Sequence, residues 1–156
     1  MIFDFCPAGA APRPTPMHPS VRLTRFYRHL FLWVIQGWLA MFYIGAAAAK
    51  LTEPLDALTH LLQWPATVDT ALVRAIGWGE AVLASAVLSP LMSWRLFRPL
   101  LLTGTAVLLG EAVVMGVWHA LERHWTLALV NVVLAALATT VLLGRRPVAE
   151  CLDARA

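Results

Sequence analysis

The chain alternates between four long apolar stretches and short segments rich in proline, charge and histidine. The stretches cover about residues 30–49, 71–92, 99–118 and 125–144. Each is close to the roughly 20 residues that a helix needs to cross a bilayer core. The first is interrupted only by Gln36 and closes on Lys50 and the sequence Leu51-Thr52-Glu53-Pro54, where Pro54 stops a helix. A longer connection follows, with Asp56, His60, Gln63, Trp64, Pro65 and Asp69 among leucines. That mixture predicts a short interfacial helix, with Trp64 at headgroup level. The second stretch carries Arg74 near one end and Glu80 well inside, and leaves at Pro90. After a turn over residues 93–98, the third is expected to start at Pro99, a residue favoured in a first helical turn, and it embeds Glu111. A second turn, residues 119–124, leads to the fourth stretch, which is polar only at Thr126, Asn131, Thr139 and Thr140 and stops at Arg145-Arg146-Pro147. The pattern predicts an all-α, integral membrane four-helix bundle over residues 29–146, with a ten-residue tail, 147–156, behind it. Ahead of it, Pro7, Pro12, Pro14, Pro16 and Pro19 exclude a regular helix over residues 1–20 and predict a flexible arm over 1–28. The arm lacks the ordered features of a secretory signal and is expected to be retained; Met17 is as good a start as Met1.

Composition agrees. The 156 residues are 60% hydrophobic and 13% charged, with a mean hydropathy of +0.70, against roughly 45–50% apolar and about 25% charged in globular domains. Four spans leave no room for a soluble catalytic domain, which removes nucleotide-binding folds and soluble hydrolases. Nucleic acid is excluded as a partner, because the pI of about 9.4 comes from arginines flanking the spans rather than from a continuous basic face. Those arginines also orient the bundle. Arg13, Arg22, Arg25, Arg28, Arg95, Arg98, Arg145, Arg146 and Arg155 fall on one side, and Lys50, Arg74 and Arg123 on the other. Nine against three places both termini in the cytoplasm and the two longer connections outside, as for a multi-pass protein of the cell inner (plasma) membrane. It also argues against small multidrug transporters that insert in both orientations, which need nearly balanced flanks. The two cysteines, Cys6 and Cys151, lie near opposite ends of the chain. That spacing offers neither the proximal pair of a thiol oxidoreductase nor a clustered zinc site.

An ionisable group near the bilayer centre costs at least about 2.5–3.5 kcal/mol on insertion scales, so each one calls for a partner or a purpose. At about 1.5 Å per residue, Glu80, Glu111 and Asn131 lie roughly 13, 10 and 9 Å in from the outer ends of their spans. Lys50 ends span one on the same side, near Arg74, His119 and His124. Helical spacing supports convergence. Glu80 shares a stripe with Gly77 and Ala84, Asn131 with Ala128, Ala135 and Ala138, and Glu111 with Gly104, Met115 and, less squarely, His119. Small residues mark close contacts, and in span one Gly37, Met41, Gly45 and Ala49 form the comparable stripe. The expectation is a tight left-handed bundle with a polar pocket at its outer end, lined by Lys50, Glu80, Glu111, His119 and Asn131.

Each of these residues also has a plain structural reading. Two buried carboxyls near one another do not both ionise cheaply, so Glu80 and Glu111 can serve simply as a hydrogen-bonded link between helices. Asn131 can act as interhelical glue, and Lys50 can snorkel to the interface. His119 and His124 lack an obvious third ligand, which makes them a poor metal site, and no metal is expected. Haem b would need histidines facing each other at depth, whereas His29 and His119 lie at span ends on opposite sides. Trp33, Trp38, Trp78, Trp94, Trp118 and Trp125 read mostly as interfacial anchors.

The arginine-led entry into span one, its exit Phe42-Tyr43-Ile44-Gly45-Ala46-Ala47-Ala48-Ala49-Lys50-Leu51, the run Gly77-Trp78-Gly79-Glu80 and the terminal His119 together resemble the DoxX-like family. The resemblance covers about residues 25–147 and rests on the span pattern and a few positions. Lys50, Glu80 and His119 match. The family glycine three before the lysine is replaced by Ala47, and Glu111 and Asn131 have no assigned counterpart. The resemblance implies a four-helix inner-membrane protein, some relatives of which are membrane subunits of thiosulfate:quinone oxidoreductases or partners in membrane oxidative-stress complexes. A redox role would place a quinone headgroup in the pocket, with Glu80 or Glu111 exchanging protons and Lys50 or His119 hydrogen-bonding a carbonyl. The chain shows no haem, flavin or iron–sulfur ligand set, so electrons would come from a partner protein or a soluble donor. That favours a component of a redox complex over a stand-alone enzyme. Two other classes compete: a noncatalytic membrane protein that binds lipid or assists assembly, and a small proton-coupled transporter using Glu80 and Glu111. A homo-oligomer is compatible with all three.

Overall fold

The computed structural model describes residues 19–63 and 68–145. The expected arm up to residue 18, Trp64 and Pro65, and the tail with Cys151 lie outside the described residues. Helix α1 runs Pro19–Thr52, α2 Leu55–Leu62, α3 Thr70–Leu88, α4 Trp94–Leu121 and α5 Trp125–Arg145; a short 3₁₀ turn, Ser89–Leu91, follows α3. Among the described residues all regular structure is helical. Four helices among the described residues are long and apolar enough to span a membrane: Arg22–Thr52, Thr70–Leu91, Leu96–Leu121 and Trp125–Arg145. The protein is therefore an all-α, multi-pass membrane protein in contact with the lipid bilayer. Trp38, Trp78, Val114, Leu129 and Val132, each more than half exposed, give the bundle an apolar outer surface. The expected interfacial helix is α2, held to the bundle by the buried Leu58.

Two helix starts differ from expectation. Helix α1 begins at Pro19, so residues 19–28, assigned to the arm, are helical and give a 34-residue helix about 50 Å long. Proline breaks a helix from within, but at the first position its missing N–H had no partner to lose. Helix α4, which carries the third span, starts at Trp94 rather than Pro99. Ser93 is its extended N-cap, and Pro99 sits inside the helix, one turn further on.

The helices close into a ring in which α1 packs mainly on α3 and α4 mainly on α5; α3 and α4 join these pairs, and α1 meets α5 more sparsely. The core takes one stripe from each. From α1 come Leu32, Ile35, Gln36, Leu39, Ala40, Tyr43, Ala47 and Lys50, all buried and spaced three or four apart. The stripe expected from span one is on the wrong side: Met41 and Gly45 are exposed, and a Cβ at Gly37 or Gly45 would meet nothing within 4 Å. Small residues bring helices together only where a backbone lies opposite. The buried face of α1 is instead fixed by Gln36 and Lys50, whose polar ends need partners that hydrocarbon does not supply.

Candidate functional site

Close approach of α1 and α3 builds one end of the bundle. At Gly77 a Cβ would lie 3.0 Å from the Lys50 Cβ and 3.4 Å from the Ala47 carbonyl oxygen, so only glycine lets α3 pass this near to the end of α1. One helical turn on, Glu80 faces Lys50. The Lys50 ammonium donates to Glu80 Oε1 at 2.5 Å, and both side chains are buried. Arg74, one turn before Gly77, donates from its guanidinium to the carbonyls of Lys50 and Glu53. It thereby satisfies carbonyls that the end of α1 leaves open and places a cation at the negative pole of that helix.

Glu80 presents its second oxygen, Oε2, to the bundle interior, buried and without an N–H or hydroxyl donor. From α4, Glu111 lines the same cavity as Glu80. A carboxylate only accepts, so any hydrogen bond between the two carboxyls would require that one of them carry a proton. Two turns further along α4, His119 is buried with Nδ1 unpartnered, and its ring meets that of His124 edge-on at 6.2 Å. Among the described residues no group of three or more metal-ligating side chains forms. Asn131 of α5 is half-buried, its Cβ packed against Gly116, and its amide donates to the Leu127 carbonyl of its own helix at 2.9 Å.

All five residues singled out in the sequence line one cavity of about 530 Å³. Its other walls are mostly apolar, including Phe42, Leu72, Ile76, Leu83, Met115 and Leu134. An ammonium, two carboxyls and an imidazole thus converge on an otherwise greasy chamber. Sequence reasoning missed Tyr43, a further wall residue whose hydroxyl donates to the Leu108 carbonyl at 3.1 Å. The signal was available, because Tyr43 lies seven residues before Lys50 and shares its stripe.

The opposite end of the bundle holds a second polar network that was not anticipated. Arg145, the last residue of α5, is 4% exposed. Its guanidinium contacts His29 Nδ1 at 3.0 Å, donates to Gln36 Oε1 at 3.1 Å, and lies over the rings of Trp33 and Trp94 at 5.2 and 4.6 Å. Gln36 in turn donates to the Val87 carbonyl at 2.7 Å, and Arg98 to the Arg145 carbonyl at 2.9 Å. Trp33 and Trp94 therefore stack on a cation rather than anchoring freely at the interface. All four long helices are tied here.

The DoxX-like family model matches residues 34–141. The chain belongs to the DoxX-like family. The match contains every residue of the Lys50–Glu80–Glu111 cavity, whereas His29, Trp33 and Arg145 of the second network fall outside it. No curated protein and no solved structure matches the chain.

Proposed function

We propose that this DoxX-like protein is the membrane component of a quinone-linked redox system and holds the quinone headgroup in the cavity between α1, α3, α4 and α5. The observation that carries the reading is the convergence of Lys50, Glu80, Glu111 and His119 on one chamber whose remaining walls are mostly apolar. Reduction of a quinone to a quinol takes up two electrons and two protons. The Glu80–Glu111 pair is suited to pass protons one at a time, and the Lys50 ammonium and His119 imidazole are suited to polarise the two carbonyls. Electrons come from a partner protein or a soluble donor. The charge bias of the flanks supports cytoplasmic termini in an inner membrane, with the cavity in the outer half of the bilayer.

A second reading is favoured by a different observation. The Lys50–Glu80 pair is closed on itself at 2.5 Å, as expected of a clamp between α1 and α3 in a noncatalytic protein that binds lipid or assists assembly. Proton-coupled transport through the carboxyl pair is the remaining alternative. Mass spectrometry of the small molecules extracted from protein in native-lipid nanodiscs separates them. Quinone retained by the wild type, and lost by an equally folded Glu80→Gln, Glu111→Gln variant, supports the redox role. Bulk lipid alone in both turns the assignment to assembly, or to transport if proteoliposomes carry a proton flux that needs the two carboxyls.

A further inference from the structure

The cavity adjoins a lipid-facing crevice. Phe42 on α1 and Val130 and Leu134 on α5 form walls of the cavity and also of a second, wholly apolar crevice of about 480 Å³ in the α1–α5 seam. The crevice is completed by Ile35, Trp38, Leu129, Val133 and Leu137. Trp38, Leu129 and Val133 are 61%, 64% and 51% exposed, so its outer edge faces lipid. It opens in this seam because α1 is committed to α3 and α5 to α4, leaving α1 and α5 in sparser contact.

We infer that the crevice receives the apolar chain of an amphiphilic ligand whose headgroup sits against Lys50, Glu80 and Glu111, and that this ligand enters sideways from the bilayer. The inference rests on the quinone reading and narrows it to long-chain, isoprenoid or alkyl quinones. The shared walls point to the occupant. A chain attached to a head in the cavity passes Phe42, Val130 and Leu134 and then lies along α5 as far as Leu137, a path of about 10 Å past Val130. It meets only hydrocarbon there. A second apolar groove, between α4 and α5, shares one wall residue with the cavity, Asn131, whose polar amide makes it the poorer route for a hydrocarbon chain. The head is thereby held by charge and hydrogen bonds, and the chain by contact area, the division of labour usual for amphiphile sites.

Affinities of two benzoquinones with one headgroup, one bearing a decyl chain and one bearing none, measured by native mass spectrometry on the full chain in detergent, test this. Val133→Trp and Val133→Phe fill the crevice from a position that already faces lipid and so leave the core intact; Val132→Trp fills the α4–α5 groove as a control. The expected result is that the wild type prefers the decyl compound. Each crevice variant then weakens it by about tenfold, the equivalent of two or so lost methylene contacts, while the chainless compound and the Val132→Trp variant are unaffected. Full decyl affinity in both crevice variants would overturn the route while leaving the headgroup reading intact, as would weakening by Val132→Trp alone. Failure of the wild type to bind either compound would overturn the route together with the quinone reading.

Discussion

The ammonium of Lys50 lies 2.5 Å from Oε1 of Glu80 across the α1–α3 seam, with side chains 6% and 4% exposed. Removing one member of such a pair leaves an uncompensated charge, whereas removing both leaves an apolar gap that hydrophobic side chains fill. Glu80→Leu is therefore expected to destabilise the bundle by about 3 kcal/mol, and Lys50→Met with Glu80→Leu to recover most of that loss. Unfolding in mixed micelles, taken through the full double-mutant cycle, measures the coupling; a value near zero would show that the pair does not join the helices.

Glu111→Gln separates proton transfer from packing. A glutamine amide is a donor in its own right, so a glutamine at 111 lining the same cavity as the buried Oε2 of Glu80 needs no shared proton to approach it. The variant should unfold at or above the wild-type midpoint. In a reconstituted assay with its electron donor, it should turn quinone over about a hundredfold more slowly, the lower end of what a general acid contributes. Unchanged turnover would remove Glu111 from the proton path.

Gly77→Ala tests the close approach that brings Lys50 to Glu80. The new methyl would lie 3.0 Å from the Lys50 Cβ and 3.3 Å from the Leu51 Cγ, so α1 must move away, at a cost of about 1–3 kcal/mol. Gly45→Ala on the same seam's lipid side meets nothing within 4 Å and should be neutral or stabilising by up to about 1 kcal/mol through helix propensity alone. Equal effects of the two substitutions on the unfolding midpoint would contradict this geometry.

At the other end, Arg145→Lys should loosen the bundle even though charge is kept. A single ammonium cannot contact His29 and Gln36 and also lie flat against Trp33 and Trp94. The expected loss is about 1–3 kcal/mol. Hydrogen exchange should rise near Trp94 and at the end of α5 while remaining unchanged around Glu80, some distance away; uniform loss of protection would mean that the network has no local role.

Arg74→Ala should fray the end of α1. It frees the carbonyls of Lys50 and Glu53, each hydrogen bond contributing about 0.5–1.5 kcal/mol. Faster exchange confined to the last turn of α1 and to α2 is the expected readout.

The number of spans, the bundle class and the short helix α2 were legible in the sequence, which also singled out five polar residues as candidates for one pocket. Each of those follows from a local property: a segment crosses a bilayer according to its own hydropathy and length, and a carboxyl buried in hydrocarbon seeks company whichever helix bears it. Only the packed bundle shows which face of α1 points inward, that Glu80 takes Lys50 and leaves its second oxygen buried in the interior, and that Arg145 closes the far end over Trp33 and Trp94. Lipid is as apolar as leucine, so hydropathy does not distinguish the inner from the outer side of a spanning helix. Gly37 and Gly45 on the lipid side of α1 look the same in the sequence as Gly77 at the seam. Only the helix lying opposite Gly77, and absent from the other two, tells them apart.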